Sequence, residues 1–177
     1  MKKILIIYAS RFGQTEKICF YIQEQLLMKK LACDVVNIIA LDETVNLIDY
    51  THILLASSIY YGKHNKALLT WIDKYHDRFL NKIVGFISVN LTARKPNRDR
   101  VDTNIYTKKL MIESPYQFDI VDVFAGKLNY RQYNLLDRYM LRFVMWITKG
   151  ETNFDTNKEY TDWGRIDGFI EKWLSLT

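Results

Sequence analysis

Two cysteines, two prolines and seven glycines in 177 residues rule out several ways of building a protein. Cys19 and Cys33 lie far apart, without metal or redox spacing, and read as reduced, half-buried thiols. So little proline and glycine leaves no room for linkers, and there is no repeat or low-complexity stretch. The chain reads as one domain over residues 1–177. No apolar run approaches the ~20 residues of a membrane-crossing helix. Met1-Lys2-Lys3 before Ile4-Leu5-Ile6-Ile7 imitates a secretion signal. The run is too short, Arg11 interrupts it and no small-residue cleavage site follows, so a cytoplasmic chain is expected. His52, His64 and His76 show no metal-ligand arrangement, and no Ser/His/Asp or Cys/His grouping stands out.

What is present is globular: 49% hydrophobic and 25% charged residues. The net charge of +5 favours an acidic partner, whether nucleic acid, anionic lipid or a carboxylated substrate. Apolar, β-rich runs at residues 3–8, 34–39, 52–57, 82–89 and 119–125 read as strands. Helical patterns separate them at 14–30, 65–79 and 101–112, and a last one covers 161–176 with Thr161 as its cap. In the first helix Ile18, Ile22 and Leu26 share a side, with Glu16 in the first turn and Lys29-Lys30 in the last. Asp42-Glu43 reads as a solvated helix start, and Trp71, Trp163 and Trp173 as packing residues. Strands apolar on both faces and alternating with helices imply an α/β fold with a covered parallel sheet. Five of them suit a flavodoxin-like doubly wound sheet of order 2-1-3-4-5, whose ligand lies beyond the carboxyl ends of the strands.

Ser10-Arg11-Phe12-Gly13-Gln14-Thr15 stands at the first of those ends, a hydroxyl–x–x–Gly–x–hydroxyl loop running into a helix. Unpaired helix-start amides, a glycine permitting close approach and two hydroxyls form an anion cradle. There is no Walker lysine and no G-x-G-x-x-G, so a phosphate monoester such as that of FMN fits best. A receiver domain shares the sheet order but needs acidic residues where this chain has Ala9-Ser10 and Ser57-Ser58. After the third strand come Ser58, Tyr60, Tyr61 and Gly62, whose tyrosines suit stacking on a flat ring. His64 follows closely.

These stretches resemble the flavodoxin-like protoporphyrinogen dehydrogenases, the quinone-dependent FMN enzymes of bacterial haem synthesis. The resemblance covers essentially the whole chain. It is carried by the phosphate loop; by Ser88-Val89-Asn90-Leu91 with Ala93-Arg94-Lys95-Pro96; by Thr103-Asn104 with Tyr106; by Ala125-Gly126; by Asp137-Arg138-Tyr139-Met140; and by Tyr160-Thr161-Asp162-Trp163. Two positions depart from it: Phe12 stands where flavodoxins usually carry a hydroxyl residue, and Tyr60 where the family pattern has a basic one. The resemblance implies FMN held by Ser10, Arg11, Phe12, Gly13, Gln14, Thr15, Ser58, Tyr60, Tyr61, Gly62, Ser88, Val89, Asn90, Leu91 and Gly126. It implies oxidation of protoporphyrinogen IX by six electrons in three rounds, each passed to menaquinone or ubiquinone. No catalytic acid or base stands out. An electron carrier, a nicotinamide-fed quinone reductase and a binding module with an unused phosphate loop are the rival readings.

Two features exceed the needs of a simple flavodoxin. Arg94, Lys95 and Arg98 follow strand four and suit the substrate's propionates. The loop lacks the interleaved aromatics of an RNA binder, so no nucleic acid is expected. Residues 126–150 form an insertion, read as an amphipathic helix. At 100° per residue Arg131, Arg138, Arg142 and Lys149 fall within about 40° of one another. Leu136, Met140, Phe143 and Ile147 lie opposite, with Trp146 near one end. The cationic face reads as a membrane-surface or substrate-covering element, or as a solvated face above an apolar side packed on the domain. The expected location is the cytoplasmic face of the inner membrane, held peripherally through anionic lipid. The oligomeric state is left open.

Overall fold

A computed structural model describes residues 2–41 and 45–176 of the chain. Asp42-Glu43, expected to begin a helix, lies outside the described residues. The central strand β1 (Lys3–Ala9) is buried at every position after Lys3. A strand with no polar face must be covered on both sides. β1 lies between β2 (Ala32–Asn37) and β3 (His52–Ser58), followed outward by β4 (Ile83–Val89) and β5 (Ile120–Phe124), all parallel in the order 2-1-3-4-5. In register, Ile6 faces Val35 on one side and Leu54 on the other.

Alternation along the strands divides the core into two layers. Ile4, Ile6, Leu54 and Ile87 pack with Ile18, Ile22 and Leu26 of α1 (Gln14–Met28) and with Phe169, Ile170 and Trp173 of α5 (Trp163–Ser175). Leu5, Ile7, Ile53, Leu55 and Phe86 pack with Leu68 and Ile72 of α2 (Lys66–Tyr75) and Leu110 of α3 (Ile105–Glu113). Both cysteines are free and fully within this core rather than half-buried.

Side-chain caps move several boundaries from their expected places. The second strand ends at Asn37, not residue 39, because the Asn37 carboxamide accepts from Ile39 N and turns the chain. The third helix starts at Ile105, not 101, because Asn104 caps it, accepting from Tyr106 N. Lys29 and Lys30 lie just past α1, not in its last turn, and Lys30 takes a positive φ. Asp162, not Thr161, caps α5 by accepting from Arg165 N. Thr161 instead donates to the Ala125 carbonyl at 2.8 Å and accepts from Gln14 Nε2 at 2.9 Å, joining the first loop to the end of β5.

The insertion is not one helix. β6 (Lys127–Asn129) pairs antiparallel with β7 (Asn157–Glu159), and α4 (Leu135–Ile147) is looped out between them. Met145 of α4 is buried with Leu128 and Tyr130 in a small core of its own. Only Arg138 and Arg142 of the four expected cations belong to the helix. Arg131 precedes it and pairs with Asp155, while Lys149 follows it in left-handed backbone. Arg138 bonds back to the Tyr130 carbonyl at 3.1 Å, and Arg142 lies over the Phe154 ring at 4.5 Å. The apolar side, like Arg142, faces water: Leu136 is 77% and Trp146 69% exposed, with Tyr139, Phe143 and Ile147 beside them.

Gly85 marks the tightest packing over the sheet. A Cβ there would stand 3.1 Å from Leu54 Cδ1 and 3.3 Å from Trp173 Nε1. The glycine lets the fully buried indole lie directly on β4. Trp173→Ala is expected to lower stability by about 3–5 kcal/mol through the cavity it leaves, measured as a lower urea midpoint at unchanged slope.

Candidate active site

The parallel sheet brings the loops after β1, β3, β4 and β5 to one edge, where they surround a cavity of about 240 Å³. Its first wall comes from Ser10, Phe12, Gln14 and Thr15, with Gly13 shaping the loop behind them. Gly13 adopts φ 86°, with nothing within 4 Å of where a Cβ would be. Its N–H donates to Ser10 Oγ at 3.1 Å, which folds the loop over the start of α1. Thr15 is 1% exposed, and its hydroxyl has no hydrogen-bond partner among the described residues. An unpaired buried hydroxyl is costly unless something arrives to bond it. Beside the free amides of the helix start, the missing partner fits an anion. The donor set suits one phosphate group.

The other walls are aromatic and apolar. Phe12 and Tyr133 stand with ring centroids 4.4 Å apart, and Tyr60, Tyr61, Tyr106, Leu91, Met140 and Val144 are among the other lining residues. Tyr61 and Gly62 form the tip of a two-residue turn, closed by mutual backbone bonds between Tyr60 and Lys63. Both tip residues have positive φ, as such a turn requires. The turn presents both tyrosine hydroxyls to Asp137 in the first turn of α4. Tyr60 donates at 2.6 Å and Tyr61 donates to the other oxygen. These bonds hold the Asp137 carboxyl below the usual carboxylate range and raise both phenols.

Most expected cofactor contacts meet here: Ser10, Phe12, Gln14, Thr15, Ser58, Tyr60, Tyr61, Gly62, Val89, Asn90, Leu91 and Gly126 all line the cavity. Arg11 does not; its exposed guanidinium lies 3.8 Å over the Tyr60 ring, putting a cation beside a position where the family pattern has one. Ser88 stands behind the wall. Its hydroxyl shares a 2.9 Å bond with His64 Nε2 and accepts from Asn90 Nδ2 at 3.2 Å. Asn90 Oδ1 in turn accepts from Ala93 N and from buried Asn104. This chain of polar contacts fixes the backbone of residues 88–93, and it places His64 behind the cavity rather than in it.

The expected substrate cations are not gathered. Arg94 donates to the Leu91 carbonyl and to Thr148 Oγ1, both at 2.8 Å. Gly150 makes room for it, since a Cβ there would overlap Met145 Cε and stand 2.7 Å from the guanidinium. Arg94 therefore fastens the end of α4 to the β4 loop, and neither Lys95 nor exposed Arg98 reaches the cavity. A separate groove of about 620 Å³ lies between α2 and α3 and shares Gly62 and Tyr106 with the cavity.

A family model described as a flavodoxin domain matches residues 5–155. A protoporphyrinogen IX dehydrogenase (quinone) from Leishmania major is 37% identical over 175 residues, 98% of this chain and 75% of that protein. The protein of that name from Escherichia coli strain K12 is 34% identical over 177 residues, covering 99% and 96%. The chain belongs to the protoporphyrinogen IX dehydrogenase family. Oxidised flavodoxin 1 from Bacillus cereus shares the fold, with a TM-score of 0.52 and 18% identity over 84% of this chain and 98% of its own.

Asp137, Tyr106 and Tyr133 line the cavity without having been expected there from the sequence. The spacing Asn134-Leu135-Leu136-Asp137 was a usable signal: a capping pair three apart starts a helix and turns its first carboxylate inward. Burial pushes the His64 imidazole down to about 4. The unfolded chain, with an ordinary value near ~6.5, then binds more protons than the fold below neutrality. This stability is fully present above about pH 6.5 and falls as pH drops toward 4, by up to about 3 kcal/mol. Urea midpoints at pH 7 and pH 4.5 are expected to diverge less in His64→Gln than in the wild type.

Proposed function

We infer that this chain oxidises protoporphyrinogen IX to protoporphyrin IX through a bound flavin, that the flavin is FMN, and that a quinone removes the electrons. The observation that carries the reading is the buried, unpartnered Thr15 hydroxyl at the mouth of an aromatic cavity, in a chain of this family. A cradle built for one anion favours a cofactor ending in a phosphate monoester, hence FMN.

Thr15, Ser10 and the amides around Gly13 would hold the phosphate. The Tyr60–Tyr61 turn, Tyr106 and residues 89–91 would flank the ring. The bound flavin supplies a two-electron acceptor, and the protein supplies position and electrostatics. Phe12, Tyr133, Met140 and Val144 keep water from the reacting face. The His64–Ser88–Asn90–Asn104 contacts keep the β4 loop from moving when substrate enters. Arg94, bound to Leu91 and Thr148, holds α4 across the cavity.

The substrate is a largely apolar macrocycle and quinones dissolve in the bilayer, which favours work at a membrane surface. We place the chain as a peripheral protein on the cytoplasmic face. The contact is made by the outward apolar side of α4, with Trp146 and Phe143 at its centre, and nearby Arg131, Arg142 and Lys149 add attraction to anionic lipid. Each cation contributes about 1 kcal/mol near such a surface. No helix among the described residues is long and apolar enough to cross a membrane.

Three measurements test this. Anaerobic mixing of the FMN-loaded protein with protoporphyrinogen and a quinone is expected to yield porphyrin fluorescence. Reduction by NADPH alone, with no response to porphyrinogen, would replace this reading with a nicotinamide-fed reductase. Thr15→Val is expected to weaken FMN binding about 10-fold, since it removes a bond of ~1–2 kcal/mol. The FMN-free variant should melt no lower than wild type, because there the hydroxyl has no partner to lose. In vesicle flotation, Phe143→Glu with Trp146→Glu should abolish binding to neutral and anionic vesicles alike. Reversing Arg131, Arg142 and Lys149 should remove only the extra binding to anionic ones.

A further inference from the structure

Among the described residues Asp137 is the one carboxylate lining the cavity. It is 4% exposed. Its N–H donates to Asn134 Oδ1 at 2.8 Å, and its Oδ2 accepts from Asn134 Nδ2 at 3.0 Å. Tyr60 and Tyr61 donate to its two oxygens from a different loop. Capping explains the bonds to Asn134. It does not explain a carboxylate carried into an aromatic cavity and met there by two phenols on a strained turn. Arg11 faces it from the β1–α1 loop and Tyr133 from the residues before α4. Lys127 lines the same cavity from β6.

Taking porphyrinogen oxidation as its premise, we propose that Asp137 accepts the pyrrole proton released in each round. A C–H bond at a methylene bridge breaks, and both electrons leave with the hydrogen to the oxidised flavin. The ring is left cationic, with its charge shared onto a pyrrole nitrogen. The N–H bond then breaks, its electrons stay on nitrogen as the imine forms, and the proton bonds to an Asp137 oxygen. The carboxylate also opposes the positive charge that builds as the hydride departs. A cationic N–H is a strong acid, so a weak base is enough, and a weak base releases the proton again before the next round. Tyr61, 55% exposed with its hydroxyl on Asp137, gives that proton a path to water. Two phenol donors keep the carboxylate ionised at neutral pH.

The test compares wild type with Asp137→Asn, both loaded with FMN. The variant is expected to melt within a few degrees of wild type and to bind FMN within about threefold. Bleaching of its flavin by protoporphyrinogen in anaerobic stopped flow should slow at least 100-fold. Reoxidation of the dithionite-reduced flavin by a soluble quinone should stay within threefold. A second readout needs no turnover: absorbance titration of protoporphyrin IX on FMN-free protein. A carboxylate at the ring nitrogens raises the pH at which they protonate, so wild type should protonate the porphyrin at least one pH unit above Asp137→Asn. Should Asp137→Asn not fold, Tyr60→Phe with Tyr61→Phe keeps the carboxylate but removes its donors. The acid limb of the bleaching rate should then move to higher pH, and an unmoved limb overturns the proposal. Equal bleaching rates in wild type and Asp137→Asn, or coincident porphyrin titrations, overturn it too. A wild type that porphyrinogen does not bleach overturns the porphyrinogen reading itself, and the proposal falls with it.

Discussion

A strand that is apolar on both faces can exist only in the middle of something. β1 is such a strand, and its need for cover puts α1 and α5 on one side and α2 and α3 on the other. Helices that cross back over a parallel sheet return every strand in the same direction, so the ends of β1, β3, β4 and β5 open on one edge. The anion cradle, the tyrosine turn, the Asn90 loop and the insertion meet there for that reason. None of them could form the cavity alone.

The insertion obeys a different balance. A helix with one cationic and one apolar side is expected to bury the apolar side. α4 instead buries Asp137 and Met145 and leaves most of its apolar side in water, and the bonds along its inner side explain why. Asp137 is held by two phenols and Asn134, Arg138 by the Tyr130 carbonyl, and Thr148 at its end by Arg94. A carboxylate is tolerated in an apolar wall only while such donors remain in place. Met145 adds a buried anchor on the same side. The hydrogen bonds and this anchor set the rotation of the helix, and Leu136, Phe143, Trp146 and Ile147 are left in water. At about 25 cal/mol per Å² of apolar surface, that exposure is a standing cost unless another apolar surface covers it.

Arg94 illustrates how a charge can be misread. By composition it belongs to a basic loop suited to carboxylates. In place it bonds the Leu91 carbonyl and Thr148 and passes close to Gly150, and burial lowers its pKa. Its role is to join two parts of the molecule that lie 54 residues apart. Thr161 does the same on a smaller scale, exchanging an expected cap for bonds to Ala125 and Gln14. In both cases the side chain found a partner distant in sequence, and the local pattern carried no trace of it.

Periodicity by itself determined the parallel sheet, whose order 2-1-3-4-5 is the one such a fold favours, and local chemistry put two hydroxyls and a glycine at the start of α1. The sheet and the loop rest on neighbouring residues: alternation along a strand, a glycine with positive φ, and two hydroxyls five residues apart on either side of the helix start. The tertiary structure alone decided which way α4 faces, that Asp137 and the tyrosine pair share a cavity, and that Arg94 is a brace. Those outcomes depend on hydrogen bonds between groups as far apart as Tyr60 and Asp137. Such bonds form only where folding has already removed the water that would otherwise satisfy both partners.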